Sequence, residues 1–458
     1  MVLRKVFVGL ALSAASGFWG ALAQSMGPSD PGARASGLAG AYVAKADDTW
    51  AVFGNPAGLA FLGGFRIKTN LVFGNPSVTA SLPGTGTTFN SSPFQFRGSL
   101  ALSWAPARRV SVGLGVFSPY SFETDWPDNS GSRLDSTEAS LNALTIRPVV
   151  SVEIVRGLSL GVGADIVISR LLWRHYQEFR LGNVPLPGQV GMDSRFELKG
   201  SGVGFSAGLM WKPHQAFRAG LRYVHEIDVE STGWDTFTYP SEAGWMAVLN
   251  PAHKYIAVRD LAHLFYRNQE FSSRLTLPRE VAAGLAFSPL PALSVHLEAQ
   301  WNEWSRFGGW EFTAAGAGQD LSPAFSQDFR DFYGAVPDYG LQSAGLALED
   351  VWKIKAGVEY RLAPHFVVRG GYAHQPSPAG DANLDPVDPT PSLNAATVGF
   401  GFEGPVFNYY NNERAGELSL DVYLRYGKSG TGSGVVLGNE LNFQSSRWEF
   451  GLGVGFNF

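Results

Sequence analysis

The chain contains no cysteine among its 458 residues, and only 16% of its residues are charged. The absence of cysteine excludes disulfide scaffolds, cysteine-ligated zinc sites and thiol nucleophiles. The formal net charge of -5 argues against a dedicated nucleic-acid binder, so no nucleic-acid partner is expected. Beyond the N-terminus the sequence has no run of 18 uncharged apolar residues, and it therefore predicts no transmembrane helix in the mature chain.

Glycine and aromatic residues are abundant instead. There are 55 glycines, and 13% of the residues are aromatic. A disordered chain would be poor in aromatic residues and rich in charge, so disorder does not fit this composition. The composition favours a β-rich protein whose strands lie against an apolar environment.

The first 23 residues have the order of a secretory signal peptide. Arg4 and Lys5 precede an apolar stretch, and Ala21-Leu22-Ala23 forms a small-residue cleavage site before Gln24. The alternatives are a buried helix or a membrane anchor, but the apolar stretch is shorter than the ~20 residues that a span needs. The sequence therefore predicts a signal peptide at 1–23 and an exported mature chain.

Most of the mature chain alternates with a period of two, as β-strands do when one face is apolar. In the last segment Trp448, Phe450 and Leu452 share one face, whereas Glu449, Gly451 and Gly453 share the other. The pattern recurs in fourteen candidate strands: about 65–79, 94–104, 109–119, 140–153, 158–177, 195–211, 216–228, 273–287, 293–306, 350–361, 365–374, 393–403, 415–427 and 445–458.

A soluble β-sandwich also alternates, and three further features favour a membrane barrel. The strands are long enough for the ~9–11 residues that a tilted membrane strand needs. Short and long connections alternate, apart from a longer turn at 404–414, as in outer-membrane barrels with an even strand number. Aromatic residues recur near the ends of the apolar faces, as in an interfacial girdle: Trp104, Trp211, Tyr223, Trp301, Trp352, Tyr372, Tyr426 and Trp448.

The segment 24–63 does not alternate and is rich in small residues, with a turn at Gly54-Asn55-Pro56-Ala57-Gly58. Because it precedes the first strand of the barrel at 64–458, it is expected either to plug the lumen or to form a periplasmic tail. The rigid turn of Asn55, Pro56 and Ala57 in a plug would shape a pocket and control a gate.

Three stretches resemble the FadL family of outer-membrane transporters of long-chain fatty acids and, in relatives, aromatic hydrocarbons. They are the hatch-like run from Ala33 to Ala60 with Asn55-Pro56-Ala57, the strand beginning Leu277-Pro278-Arg279-Glu280, and the region from Trp352 to Pro378. The resemblance spans the mature chain. It implies a fourteen-stranded antiparallel barrel in the cell outer membrane, plugged by a partly helical N-terminal hatch. It also implies cargo capture by outer loops, a pocket beside the hatch, and lateral release at a kinked third strand.

Candidate site residues follow from the residues and from this resemblance. Gly113, Gly115 and Pro119 mark the third strand as the site of a lateral opening, although glycine also recurs in other strands. The long connection at 229–272 is unusually apolar and is a candidate capture loop. Its candidate residues are Trp245, Met246, Leu249, Leu261, Leu264 and Phe265.

Charged residues on the inner faces are expected to pair mostly with one another and to brace the wall and hatch. One or two of the cations would instead meet a fatty-acid carboxylate, for which arginine geometry is well suited. The candidates are Arg170, Lys353, Lys355 and Arg369. Arg170 is a candidate from the resemblance alone, because its parity places it with the outward side chains unless a bulge intervenes.

Signs of catalysis, metal binding and cofactor binding are weak. The run Gly399-Phe400-Gly401-Phe402-Glu403-Gly404 fits a dinucleotide loop, but no helix follows it. The eight histidines have no zinc-ligand spacing, and a Pro-rich stretch with Asp381, Asp385 and Asp388 is expected to be a solvated outer loop. No catalytic residue, metal or cofactor is therefore predicted.

The predicted function is passive transport of long-chain fatty acids or similar hydrophobic small molecules by a protein that is not an enzyme. The expected partners are that cargo and outer-membrane lipid, and a monomer is expected. Two alternatives stay open: a general porin for polar solutes, and a barrel hydrolase that uses His296 or His374 with a serine.

Overall fold

The fold is a closed antiparallel β-barrel with an N-terminal hatch inside it. The computed structural model describes residues 32–178, 180–181, 184–185, 191–238, 247–249, 255–257, 268–308, 310–314, 341–344, 347–407, 414–436 and 438–458. The predicted signal peptide lies outside the described residues, so its boundary at Gln24 stays a prediction. Among the described residues, no helix has the length and apolar character to cross a bilayer.

Fourteen strands form the barrel wall, several of them in two segments. They are β1 Phe65–Ser81, β2 Thr88–Ser91 and Gln95–Ala107, β3 Val110–Asp125, β4 Glu138–Val155, β5 Leu158–Glu178, β6 Gly191–His214, β7 Phe217–Val224 and Ile227–Thr238, β8 Gln269–Leu277 and Glu280–Leu290, β9 Leu293–Asn302 and Trp310–Ala314, β10 Leu341–Ala344 and Val351–Ala363, β11 Phe366–Gln375, β12 Leu393–Phe407, β13 Arg414–Val436, and β14 Asn439–Asn457. β14 pairs with β1 from Arg66↔Asn457 to Ser81↔Asn442, and this pairing closes the barrel.

The remaining described elements are short. Two small ribbons lie in the outer connections, Arg180–Leu181 with Val184–Pro185 and Ala247–Leu249 with Tyr255–Ala257. The hatch contains α1, Ala33–Gly37, then α2, Ala51–Gly54, and a 3-10 helix, Pro56–Phe61; a second 3-10 helix, Trp304–Arg306, follows the first segment of β9.

All fourteen predicted strands are present, but several extend further outward than predicted. The predicted strands at 415–427 and 445–458 leave a long connection at 428–444, and this prediction is wrong, because β13 and β14 continue to pair as far as Val436↔Asn439. Residues 429–434 are glycine, serine and threonine, so they show no apolar alternation. Backbone pairing needs no side-chain pattern, and for this reason the strand continues where the sequence signal stops.

The outer face of the barrel is apolar and exposed, whereas the inner face is buried and partly charged. Val162 is 59% exposed on β5, and Asp165 on the same strand is 0% exposed. Leu297 is 54% exposed on β9, and its neighbour Glu298 is 4% exposed. A soluble sandwich would bury the apolar face, so this arrangement excludes it and requires a bilayer around the wall.

The hatch fills the lumen by packing its backbone against glycines of the wall. A Cβ atom at Gly208 of β6 would lie 2.1 Å from Asn55 Oδ1, and one at Gly220 of β7 would lie 2.4 Å from the Val43 carbonyl oxygen. At Gly357 of β10 the added atom would lie 2.8 Å from the Leu38 carbonyl oxygen. The inner glycines of these strands therefore make room for the plug.

Candidate functional site

Backbone pairing between β2 and β3 stops part of the way along the two strands. Their backbone pairing runs from Ala107↔Val110 to Leu100↔Val116 and ends there, although both strands continue outward. The strands meet again where the Asp125 amide donates to Ser91 Oγ at 2.8 Å. We call the unpaired stretch between these two contacts the window; the structure describes every residue on both of its sides.

A bulge in β3 lies close to the point where its pairing with β2 stops. The pairing of β3 with β4 shifts by one residue between Phe117↔Thr145 and Tyr120↔Ala143, which places a bulge at Ser118-Pro119. An extra residue bends a strand, and Pro119 has no amide hydrogen to donate to a neighbouring strand. The usual alternation of burial is then lost, because four consecutive residues, 119–122, are all buried.

The predicted opening residues lie in two different places. Pro119 lies in the bulge, and its role in a lateral opening stays a prediction. Gly113 and Gly115 lie below it, where β3 is still paired with β2. Added Cβ atoms there would lie 2.7 Å and 2.9 Å from Val52 of the hatch. These two glycines therefore seat the hatch, and their role in an opening stays a prediction.

Tyr120 of β3 reaches across the lumen to β8. Its hydroxyl donates to Glu280 Oε1 at 2.8 Å and lies 3.2 Å from the Pro278 carbonyl oxygen. The Tyr120 ring also packs edge-on against Trp304, with the ring centroids 6.3 Å apart. We call the Tyr120–Glu280 contact the latch, because it holds the displaced part of β3 to the far wall.

The hatch touches both the window and the latch through Phe53. The Phe53 and Phe117 rings meet edge to face, with centroids 5.1 Å apart. Arg222 donates to the Phe53 carbonyl oxygen at 3.1 Å and to Glu280 Oε2 at 2.7 Å. A displacement of Phe53 would therefore disturb the packing of β3 and the partners of Glu280 together.

The Asn55-Pro56-Ala57 turn is fastened to the wall. The side-chain amide nitrogen of Asn55, Nδ2, donates to the carbonyl oxygens of Val43 at 3.0 Å and Leu209 at 3.1 Å. Asn55 Oδ1 accepts from the backbone amide of Ala57. The Ala57 carbonyl oxygen accepts from Ser159 Oγ at 2.8 Å. The turn thus anchors the hatch to β5 and β6, and its role as a gate stays a prediction.

Buried ion pairs brace the hatch against the other side of the lumen. Arg369 donates to Glu359 Oε2 at 2.8 Å and to Asp421 Oδ1 at 2.7 Å. Lys355 lies 3.1 Å from Glu298 Oε1, and Glu298 Oε2 accepts from the Tyr42 and Val43 amides. The predicted mutual pairing is therefore observed for these inner charges.

The four candidate carboxylate-binding cations have different surroundings. Lys355 and Arg369 already hold wall carboxylates, and Lys353 is buried on the inner face of β10. Arg170 is wrong as a lumen candidate, because its side chain is 45% exposed and pairs with Glu197 at 2.6 Å. Pairing of β4 with β5 is regular from Glu138↔Arg174 to Ile146↔Ile166, so no bulge turns Arg170 inward.

The candidate capture loop is outside the part of the chain that can be described. Trp245, Met246, Leu261, Leu264 and Phe265 lie outside the described residues. Leu249 belongs to the small ribbon Ala247–Leu249, of whose side chains nothing is described. The capture role of all six residues stays a prediction.

The Pro-rich connection at 376–392 is not the solvated loop that the sequence predicted. Leu384, Val387 and Asp388 are each no more than 3% exposed. Trp126, from the connection at 126–137, donates to the Pro386 carbonyl oxygen at 2.9 Å. Together the two connections form a cap over the outer end of the lumen, because their apolar residues pack on the upper strands. Turn residues and prolines gave no sign of this inward packing.

The cap contains three aspartates in close proximity. Burial, and then the charge of Asp385, raises the pKa of Asp388 to about 7. Burial also raises the pKa values of Asp135 and Asp385 above the ordinary range of aspartate. Among the described residues, no group of three or more His, Asp or Glu side chains is placed to hold a metal ion.

The structure contains a Ser–His contact of the kind that the hydrolase alternative needs, but this contact lacks the third group of a catalytic triad. Ser294 Oγ lies 2.9 Å from His296 Nε2, but His296 Nδ1 has no hydrogen-bond partner within the described chain. A triad needs a third group that orients this nitrogen. His374 Nδ1 instead lies 2.9 Å from Asn394 Oδ1, with both residues on the outer face.

Comparison with known proteins gives one family and a group of similar folds. The sequence profile of the family described as "Outer membrane protein transport protein (OMPP1/FadL/TodX)" matches residues 19–405. No curated protein sequence matches the chain significantly.

Three solved structures illustrate the shared fold. A Pseudomonas aeruginosa FadL homologue superposes with a TM-score of 0.77 at 19% identity, covering 95% of this chain and 100% of that one. The Ralstonia pickettii toluene transporter TbuX gives 0.65 at 16% identity, with 94% and 99% covered. The Pseudomonas putida toluene transporter TodX gives 0.64 at 16% identity, with 95% and 100% covered. At such identities the likeness concerns the fold alone.

Proposed function

Because this chain belongs to the OMPP1/FadL/TodX family of outer-membrane transport proteins, we propose that it carries hydrophobic compounds passively across the outer membrane, with long-chain fatty acids as the first candidate cargo. The cargo enters from outside, passes to the hatch, and leaves sideways through the window. The window itself is the observation that supports this route most directly, because unpaired wall strands give lateral access from the lumen to the bilayer.

The physical chemistry of the cargo favours lateral release. Each buried CH₂ group gains roughly 0.8 kcal/mol over exposure to water. A continuous aqueous channel would reverse this gain, whereas the window would deliver the chain directly into hydrocarbon. The buried rings of Phe117 and Phe53 beside the window suit an apolar passenger.

The hatch would control the passage. Its turn at Asn55, Pro56 and Ala57 is fastened to the wall, and Phe53 touches Phe117 and Arg222 beside the latch. We infer that a movement of this part of the hatch releases β3 and lets cargo pass. The candidate capture loop, including Trp245 and Leu249, would supply the first binding surface.

Monoaromatic hydrocarbons are the second candidate cargo class. TbuX and TodX, which share the fold, are named as toluene transporters. The same window would release a small apolar ring as readily as an acyl chain, since neither gains from an aqueous route.

Uptake by living cells tests the proposal. Cells that lack their own carrier and express this chain should accumulate labelled oleate, labelled toluene or both, faster than cells with an empty vector. A chain deleted for 240–266 should accumulate less if the outer connection captures cargo. Equal accumulation with and without the barrel in the outer membrane would refute the proposed transport.

A further inference from the structure

A small cavity lies beside the latch, inside the lumen. The residues around it come from β3, from β8 and from the segment between the two halves of β9, and they include Tyr120, Ser121, Phe122, Leu277, Trp304 and Phe307. The volume of the cavity is about 10 Å³. A cavity needs roughly 10–15 Å³ to hold one water molecule, so this one suits a single oxygen atom.

Buried polar atoms at and beside this cavity have no partner within the described chain. Trp304 is 2% exposed, and its indole Nε1 has no hydrogen-bond acceptor there. Ser121 Oγ and Asn302 Nδ2 also lack partners, and these residues are 3% and 0% exposed. An indole N–H can only donate, and a buried tryptophan usually has an acceptor for it. The Trp304 N–H therefore needs an acceptor that the described wall and hatch do not supply.

Contacts with the latch fix the position of both nitrogen donors. The Trp304 ring packs edge-on against Tyr120, with the ring centroids 6.3 Å apart. Asn302 of β9 lies opposite Glu280 of β8 in the strand pairing. Gln300 Nε2 donates to Asn302 Oδ1 at 3.1 Å and to Glu280 Oε2 at 3.2 Å. Both donors are therefore held beside the Tyr120–Glu280 contact.

The surroundings of the cavity favour an uncharged occupant. None of the described residues that line it carries a charge. The carboxylate of Glu280, which accepts from the Tyr120 hydroxyl, already has Arg222 as its cation at 2.7 Å. A carboxylate headgroup in the cavity would be buried without a cation of its own and close to another carboxylate, which costs free energy. An alcohol, ketone or ester oxygen accepts a hydrogen bond without this cost.

We propose that Trp304 and Ser121 form a subsite for the oxygen of an uncharged cargo, such as a long-chain alcohol or ketone. Trp304 Nε1 donates to that oxygen, and Asn302 Nδ2 offers a second donor beside the latch. The oxygen enters the cavity, and the apolar part of the cargo stays in the lumen. One water molecule has the same acceptor chemistry, and the experiment separates the two sources. The inference rests on the proposed transport and specifies a neutral polar group on its cargo.

Binding of two probes of equal chain length tests the subsite. The full-length barrel, reconstituted in nanodiscs, is titrated with oleyl alcohol and with octadecene, which lacks the oxygen. Trp304→Phe keeps an aromatic ring and removes the N–H. It should weaken oleyl alcohol binding about fivefold, as for one neutral hydrogen bond, and change octadecene binding by less than about twofold.

Two further variants complete the experiment. Trp352→Phe, at an outward tryptophan that is 58% exposed, is the matched control and should leave the binding of both probes unchanged. Ser121→Ala removes the hydroxyl at the cavity and should also weaken oleyl alcohol binding alone, so it replaces Trp304→Phe if that variant does not assemble. Heat-modifiable gel migration checks that each barrel is folded.

The outcomes separate the subsite from the proposed transport. If folded Trp304→Phe weakens both probes equally, the role of Trp304 is structural, and if it weakens neither, the cavity holds water alone; both results overturn the subsite while transport stands. If the wild-type barrel binds neither probe but carries oleate or toluene into cells, the subsite is again wrong and transport stands. If it binds neither probe and carries neither cargo, the transport proposal fails and the subsite fails with it.

Discussion

A few polar atoms connect the outer part of β3 to β8 and to the hatch. The Tyr120 hydroxyl joins β3 to Glu280, and Arg222 joins Glu280 to the hatch carbonyl of Phe53. Hydrogen bonds to charged groups contribute about 1.5–3 kcal/mol, more than neutral ones. The position of β3, and hence the window, therefore depends on a few polar atoms in an otherwise apolar region.

Tyr120→Phe should reduce transport while leaving the barrel folded. Without the hydroxyl, the outer part of β3 is freer to return to the wall and narrow the window. We expect labelled oleate uptake to fall about tenfold, as for loss of about 1.5 kcal/mol. Tyr372→Phe, at an outward residue whose hydroxyl donates to Asn394, is the matched control. Unchanged uptake in Tyr120→Phe would refute the latch.

The third strand shows how one extra residue changes an element. The bulge at Ser118-Pro119 shifts the register of β3 against β4, and beyond it β3 stays paired with β4 but not with β2. Another bulge, between Lys428 and Thr431 of β13, leaves the pairing with β14 intact on both sides. The bulge in β3 likewise leaves the pairing with β4 intact on both sides, so a bulge alone does not end strand pairing; what distinguishes β3 is the contact of Tyr120 with Glu280.

Deletion of Ser118 should close the window. Removing the extra residue restores one register along β3, and the strand can then continue its pairing with β2 beyond Leu100↔Val116. We expect uptake of oleate to fall at least about tenfold, as for a closed route, with the folded barrel still present on heat-modifiable gels. Deletion of Gly430 at the other bulge is the control and should preserve uptake. Equal loss in both deletions would contradict the lateral route.

The outer cap should loosen as the pH rises. The native cap raises the pKa of Asp388 to about 7, so it holds a proton that an unfolded aspartate loses near pH 4. The folded cap therefore binds more protons over this interval, and its stability falls as the pH increases from about 4 to about 7. Hydrogen exchange at 376–392, corrected for intrinsic rates, should be faster at pH 8 than at pH 5.

Asp388→Asn provides the control for this pH dependence. It keeps the shape of the side chain but removes the titration, so the difference between pH 5 and pH 8 should shrink. The pKa values of the neighbouring Asp385 and Asp135 are also raised, so a smaller pH dependence of exchange should remain in the variant. If hydrogen exchange at 376–392 depends on pH as strongly in Asp388→Asn as in the wild type, Asp388 is not the source of the effect.

At the scale of the whole molecule, the barrel is a plugged cylinder rather than an open pore. The hatch contacts glycines on β6, β7 and β10; the Val43 amide donates to Glu298 of β9, and Lys45 forms an ion pair with Glu359 of β10. Several independent contacts between the hatch and the wall must break before the hatch can leave the lumen. The structure therefore favours local movement of the hatch over its ejection.

Planar-bilayer recordings should show little salt conductance for the intact barrel. A variant lacking residues 32–62 has no plug and should show large stepwise openings, since a fourteen-stranded barrel leaves a wide lumen. Large openings in the intact protein would instead support the general porin. The comparison uses the same wall in both cases, so a difference in conductance reports on the hatch.

The sequence by itself determined the number of strands and which face of each meets lipid, whereas it left 24–63 open between a lumen plug and a periplasmic tail. Period-two alternation carries that information, because successive side chains of a strand point to opposite sides. It also predicted that the inner charges pair, and Arg369 and Lys355 do so. It misplaced the connection at 428–444 and the Pro-rich loop, because backbone pairing and inward folding leave no periodic signal.

Only the tertiary structure decided where the pairing between β2 and β3 stops and which side chains lie beside that stretch. Tyr120 and Glu280 are 160 residues apart, and Gln95 shares a row with Arg425 through two intervening strands. Such neighbours depend on the closure of the barrel and on the register of each pair of strands. One bulge residue alters that register, and local sequence patterns cannot reveal which distant side chains it brings together.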